Sequence, residues 1–269
     1  MRFLLRTAVL ALVTLLPALP IQAQQRVFDH ATFDHLLRAH VRNGVVDYAS
    51  FKQSPEFASY LKRLAAFDPK PLGREDRLAF WINAYNAYTI QLINKHDEKE
   101  SIRNINKSLF GIKAYGPWKE KLAVVGDSAY GLDQIEQKII RPEFKEPRIH
   151  FALVCAAVGC PPLRSEAYTG ARLDRQLNEQ AHTFLRGSPG KNRVDAGSRT
   201  VYLSELFKFR DYDKDFGGSE DAIGRFIARY YPAGPEKTLL ESGNFEVKYT
   251  KYDWSLNSQE RANAVSAKP

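Results

Sequence analysis

The stretch FWINAYNAYTIQLI, residues 80–93, decides the fold. It continues a helix signal that starts at the polar trio Arg74, Glu75 and Asp76 and runs to about residue 95. Leu78, Phe80, Trp81, Ile82, Ala84, Tyr85, Ala87, Tyr88, Ile90, Leu92 and Ile93 cover nearly the whole circumference. A helix apolar on all sides belongs in the centre of a domain. Asn83 and Asn86 sit inside the run, three residues apart and so on neighbouring turns. A buried amide without partners costs about 1–3 kcal/mol, so both are expected to bind groups from another segment. Trp81, Tyr85 and Tyr88 read as core, with Tyr85 also a candidate ligand contact beside the two amides.

Working towards the N-terminus, Ser54-Pro55-Glu56 is a helix start, with Ser as N-cap and Pro in the first turn. That helix runs to about Ala66, before the break Asp68-Pro69-Lys70-Pro71. Residues 31–43 form another, with Phe33, Leu36, Leu37 and Val41 on one face and Gly44 ending it. Towards the C-terminus, Lys121–Val125 and Ser128–Tyr130 flank Gly126-Asp127 as a hairpin. Leu132–Arg141 is a short helix stopped by Pro142. Arg148–Cys155 is a near-continuous apolar run and reads as a strand buried on both faces, ended at Gly159-Cys160-Pro161-Pro162. Helices are expected over 171–186, from Ser204 through Phe209, and over 219–231; strands are expected over Thr200–Leu203 and Phe245–Tyr249. The sum is one α+β domain: a buried central helix packed on a small sheet, with several surrounding helices.

Residues 1–23, MRFLLRTAVLALVTLLPALPIQA, read as a signal peptide: Arg2 and Arg6, then an apolar stretch too short to span a bilayer, then small residues. The globular domain then covers 24–257, and 258–269 is a flexible polar tail. Cleavage takes Arg2 and Arg6 and no acidic residue from a chain of net charge +8, leaving +6. The protein is expected in the periplasm or outside the cell, with no transmembrane segment after cleavage. Its moderate positive charge favours an anionic envelope polymer, a peptide or a protein over nucleic acid as partner.

Composition narrows the classes further. With 44% hydrophobic and 26% charged residues, the chain is neither disordered nor fibrous. Two cysteines exclude a disulfide scaffold. There is no glycine-rich phosphate loop, no Gly-x-Ser-x-Gly and no His-Glu-x-x-His, so nucleotide-binding, serine hydrolase and zinc peptidase readings lack support. His30, His35 and His40 recur every five residues, about 140° apart on a helix, and share no face. No metal and no cofactor are expected.

The stretches NGVVDYASF (43–51), FWINAYNAYTIQLI (80–93), LDQIEQKIIR (132–141), RIHFALVCAAVGCPPLR (148–164), DYDKDF (211–216) and YDWSLN (252–257) together resemble the family known as domain of unknown function 547. The likeness spans most of residues 40–257 in order and implies a single domain; it implies no reaction. At fold level, a central helix on a sheet followed by a strand bearing His resembles the transglutaminase and papain-like thiol enzymes. In those families the nucleophilic Cys opens the central helix, whereas here that helix carries no Cys.

The candidate chemistry lies around His150, Cys155 and Cys160. On a strand, His150 and Cys155 point to opposite faces, whereas Cys160, beyond Gly159, can return to the His150 face. His150 could then lower the Cys160 thiol pKa, with Arg148 or Arg164 adding positive potential, for acyl transfer or hydrolysis through a thioester. A Cys155–Cys160 disulfide closing a small loop, or two buried free thiols, are the alternatives, and the spacing is not the Cys-x-x-Cys of a redox-active pair. Glu136 and Asp253 are candidate orienting carboxylates for His150. Asn83, Asn86, Tyr85, Arg148 and Arg164 are candidate ligand-binding groups. Two functions follow as expectations: an envelope binding module with a polar cleft, or a cysteine-dependent acyl-transfer or hydrolytic enzyme.

Overall fold

The computed structural model describes residues 27–107 and 116–266, so the expected leader lies outside the described residues. The first helix, α1 (Ala31–His40), buries Phe33, Leu36 and Leu37 as its periodicity predicts. Gly44 does more than end it. Asn43 and Gly44 take φ of 51° and 81° and turn a hairpin between β1 (Val41–Arg42) and β2 (Val45–Val46). Positive φ at both central positions is what an Asn-Gly turn provides. A short helix, α2 (Tyr48–Gln53), is capped by Asp47, which accepts from Ser50 N. Next, α3 (Pro55–Ala66) starts as read, with Ser54 Oγ accepting from Phe57 N.

The central helix is α4 (Arg74–His96), and every residue from Leu78 to Ile90 is buried. Helices α2 and α3 pack on it, as does β3 (Ala123–Val125), which pairs with β4 (Ser128–Tyr130) in the expected hairpin. Tyr88 Oη donates to Val124 O at 2.6 Å and pins that strand to the helix. The α+β class holds, but α4 meets mostly helices and turns rather than a broad sheet.

Pro142 does not stop the next helix. The short α5 (Leu132–Gln134) leads into a π-helical stretch, Ile135–Ile140, and then into α6 (Arg141–Phe144). Arg141 N donates five residues back, to Glu136 O. The wider turn gives the Pro142 ring room against the preceding turn, where an α-helical spacing would clash.

The largest departure is at Arg148–Cys155, which is not a strand. Pro147–Phe151 is a 3-10 turn whose start is capped by Glu146, accepting from Arg148 N. The backbone beyond it bonds to a side chain instead of a neighbouring strand: Asn86 Oδ1 accepts from Val154 N at 3.0 Å and Asn86 Nδ2 donates to Ala152 O at 2.9 Å. An apolar run buried on all sides has no period that separates the two outcomes.

Beyond it come α7 (Leu173–Leu185), β5 (Arg193–Asp195), β6 (Thr200–Ser204), α8 (Tyr212–Asp215), α9 (Glu220–Ala228), α10 (Pro235–Ser242) and β7 (Glu246–Thr250). In their sheet β6 is central, antiparallel to β5 and parallel to β7. Ser204 caps a 3-10 stretch, Glu205–Asp211, that breaks at Phe209 and Arg210. Within the polar stretch 258–269 the chain forms α11 (Gln259–Ser266). Ser258 Oγ accepts from Arg261 N at 3.2 Å, and Gln259 Nε2 donates to His40 O at 3.2 Å.

Candidate functional site

A solvent-open cavity of about 320 Å³ lies beside α4 and gathers Tyr85, Glu136, His150, Cys155 and Cys160. Its walls are aromatic, from Trp118, Phe209, Tyr212, Tyr252 and Trp254. The exposed side chains of Lys208 and Arg210 stand at its outer edge. Arg210 is ion-paired to Asp133, which also lines the cavity.

Each polar group is placed by a local device. The π-helical stretch carries Glu136, and single wide turns of this kind recur at functional sites. The 3-10 turn carries His150, only 1% exposed at its side chain. Helix α8 supplies Tyr212 and Asp215, three residues apart and so on one face. Just before it, Arg210 and Asp211 take φ of 46° and 61°, a left-handed pair that turns the chain so that α8 faces the cavity. Such backbone costs about 1 kcal/mol per non-glycine residue and concentrates at functional sites.

The groups form one network. His150 Nε2 lies 2.7 Å from Asp215 Oδ2, and Arg141 Nε donates to the same oxygen at 2.6 Å. Burial alone would raise the Asp215 pKa, but hydrogen bonds from His150 and Arg141 outweigh it and hold the carboxyl at about 2. Because Nε2 faces this carboxylate, Nδ1 is the ring nitrogen left for another partner. The His150 ring lies against Tyr212 at 3.8 Å between centroids, and the Arg141 guanidinium sits 5.2 Å over the same tyrosine. Tyr212 Oη donates to Glu136 Oε1. Burial pushes Glu136 above the usual carboxylate range, against the pull of Tyr212, His150, Arg210 and Arg141. Burial also raises Tyr85 and Tyr212 far above the ordinary phenol, so both stay protonated donors. The arrangement supplies a buried carboxyl of raised pKa, a carboxylate-oriented imidazole and two phenols, facing an apolar wall.

The sulfurs of Cys155 and Cys160 are joined in a disulfide, with their Cα atoms 6.2 Å apart. Of the three readings of the pair the structure realises this one, and in this state Cys160 carries no thiol to act as nucleophile. Cys155 Sγ is 3.1 Å from Tyr252 Oη, and Cys155 N–H points at Cys160 Sγ from 2.9 Å.

Four expected ligand-binding residues lie elsewhere. Asn83 exchanges hydrogen bonds with Tyr168, donating to its O at 2.8 Å and accepting from its N at 2.9 Å. Asn86 does the same with Ala152 and Val154, so both amides are buried clamps that complete another segment's backbone. Arg148 is held by Glu146 at 2.7 Å and Asp174 at 2.8 Å. Arg164 is held by Glu166 and Glu179, beside a separate surface hollow at Pro162 and Lys191. The carboxylate that orients His150 is Asp215, while Asp253 accepts from Ser255 N at 2.8 Å. Asp215, Tyr212 and Tyr252 were missed as site residues although they fall in DYDKDF and YDWSLN, since nothing local marks a remote aromatic as a cavity wall. Among the described residues no group of three His, Cys, Asp or Glu is placed to hold a metal ion, and no helix is long and apolar enough to cross a membrane.

The family described as "Protein of unknown function, DUF547" matches residues 69–185, a narrower span than the sequence likeness suggests. No curated protein and no solved structure matches the chain, and the likeness to transglutaminase and papain-like enzymes gains no support. The matched span holds Tyr85, Glu136, His150, Cys155 and Cys160; Phe209, Tyr212, Tyr252 and Trp254 close the cavity from outside it. The central helix and both cysteines lie inside that span, so over residues 69–185 the chain is similar to the DUF547 family.

Proposed function

We propose that the protein is an exported binding module whose ligand places one ring-sized group in the aromatic cavity and an anionic group against Lys208 and Arg210. The observation that carries this is the cavity itself: about 320 Å³, at the small end of ligand pockets, with aromatic walls and a buried polar pole at Glu136, Tyr212 and His150. Tyrosine and tryptophan walls bind a flat ring or sugar face at low entropic cost. The edge cations suit an acidic peptide or glycan fragment, and the leader-like first 23 residues support an envelope location.

The test is tryptophan fluorescence of the intact chain titrated with muramyl dipeptide, an acidic sugar-peptide, and with neutral N-acetylglucosamine. We expect saturable quenching by the acidic probe, weakened about 5–10-fold by Lys208→Glu and by higher salt, and lost in Trp254→Ala. Absence of saturable quenching by either probe, or quenching indifferent to Trp254→Ala, overturns the reading.

A second reading, acyl transfer through Cys160 with His150 as base, is favoured by one observation. Both residues line the same cavity, together with Glu136. It requires the reduced chain, because the joined sulfurs leave no thiolate to attack.

A further inference from the structure

The disulfide lies in an unusual place for a structural staple. It closes a loop of only six residues, 155–160, where a cross-link removes the least chain entropy. That loop is already tied down without it. Val158 N donates to Ser255 O at 2.8 Å, Gly159 N to Asp253 O at 2.8 Å, and Cys160 N to Ala157 O at 3.0 Å. Asn257 N donates to Ala156 O at 3.2 Å and holds Ala156 at its φ of 58°. The bond therefore adds little where the backbone is already held, yet both sulfurs line the wall of the cavity.

The surroundings of the two sulfurs differ in the way an exchange reaction requires. Cys155 is half-buried, while Cys160 is only 2% exposed. Cys160 Sγ receives the Cys155 backbone N–H at 2.9 Å, and the Lys191 ammonium donates to the Cys160 carbonyl at 2.7 Å. A backbone donor and a nearby cation favour a thiolate on Cys160. Tyr252 Oη stands 3.1 Å from Cys155 Sγ and can donate to that sulfur as it leaves.

We propose that Cys155–Cys160 is a thiol-exchange centre that oxidises an alkyl thiol admitted through the aromatic cavity. A thiolate RS⁻ attacks Cys155 Sγ; the R–S–Sγ bond forms, the disulfide breaks, and its electron pair leaves on Cys160 Sγ. A second thiolate attacks the R sulfur, releases Cys155 as the leaving thiolate, and gives RSSR. The two protons of the thiols end on the two cysteines, so two RSH are oxidised to one disulfide while the protein gains two electrons. The thiol is carried either by a small molecule or by a cysteine side chain of a peptide, and in both cases Lys208 and Arg210 favour an acidic carrier.

The test treats the native, oxidised chain with reduced glutathione in one arm and a reduced acidic cysteine peptide in the other. Acid quenching and mass mapping then locate the mixed disulfide. We expect an adduct on Cys155, loss of the internal bond without unfolding, and release of RSSR from that adduct about fivefold slower in Tyr252→Phe with unchanged thermal stability. Reaction in only one arm identifies the carrier; reaction in both also supports the centre. The proposal falls if the bond resists both thiols until denaturant is added, or if the adduct maps to Cys160. Cys155→Ala/Cys160→Ala supplies the control: it should fold, with Tm lowered by only about 5 °C. A double variant that fails to fold makes the bond a staple and overturns the inference. Quenching by muramyl dipeptide that survives in this variant separates the exchange chemistry from the ligand reading.

Discussion

His30 and His150 are both buried and both lie against a tyrosine, yet their surroundings teach opposite lessons. His30 sits in a dry cluster with Phe28 and Phe80, its Nδ1 2.7 Å from Tyr60 Oη. Burial pushes its pKa down to about 3, with nearby Asp29 opposing and Arg63 adding to the effect. His150 faces Tyr212 but also has Asp215 at 2.7 Å, and that carboxylate is bound in turn by Arg141. One histidine is a neutral packing element; the other is held by a carboxylate on a cavity wall. What separates them is the bound carboxylate, for His150 is the less exposed of the two.

Acid should break the comparison most visibly at His30. The unfolded chain takes up the proton near 6.5 and the folded chain only near 3. Stability is therefore complete above 6.5 and falls as pH drops towards 3, by up to roughly 1.4 kcal/mol per pH unit. Urea midpoints measured across this window should flatten in His30→Gln; an unchanged slope would show that another group carries the acid sensitivity.

Next in size is Asp215→Asn. Asp215 is shifted from 3.8 to about 2, so its contribution is present above 3.8 and lost as pH falls towards 2. The variant should lose on the order of 2 kcal/mol at pH 7 in chemical denaturation, with the gap to wild type closing below pH 4. A gap that persists at pH 2 would point to packing rather than charge.

The smallest effect is expected for Glu136→Gln, and its sign is reversed. A buried acid with a raised pKa costs stability once pH rises above its unfolded value of 4.5. Glutamine keeps an oxygen for Tyr212 and removes that charge. We expect a gain of about 1 kcal/mol or less at pH 8, vanishing below pH 4.5, read as the Tm difference between the two proteins. A loss of stability at pH 8 would mean that the ionised carboxylate is well compensated.

The two faces of α4 show how much of this was legible. That Asn83 and Asn86 must bind another segment followed from burial energetics, and each completes the backbone of a remote stretch. Which stretch did not follow. Tyr85 lies between them in sequence but turns into the cavity. Glu136, His150 and Cys160 were singled out for their chemistry, and all three line it. The partners of His150 and Glu136, Asp215 and Tyr212, lie more than sixty residues away in sequence, and no local pattern encodes a contact at that separation.

Sequence alone established the buried central helix, the capped start of α3, the β3–β4 hairpin and the need to satisfy two interior amides, because propensity, capping and periodicity act over a few residues. Tertiary structure alone decided that Arg148–Cys155 is a 3-10 turn and loop, that the cysteines are joined, and that Asp215 orients His150. The physical reason is common to all three. An apolar run, a thiol pair and an imidazole each have several local solutions of similar free energy, and only groups brought in from distant segments choose among them.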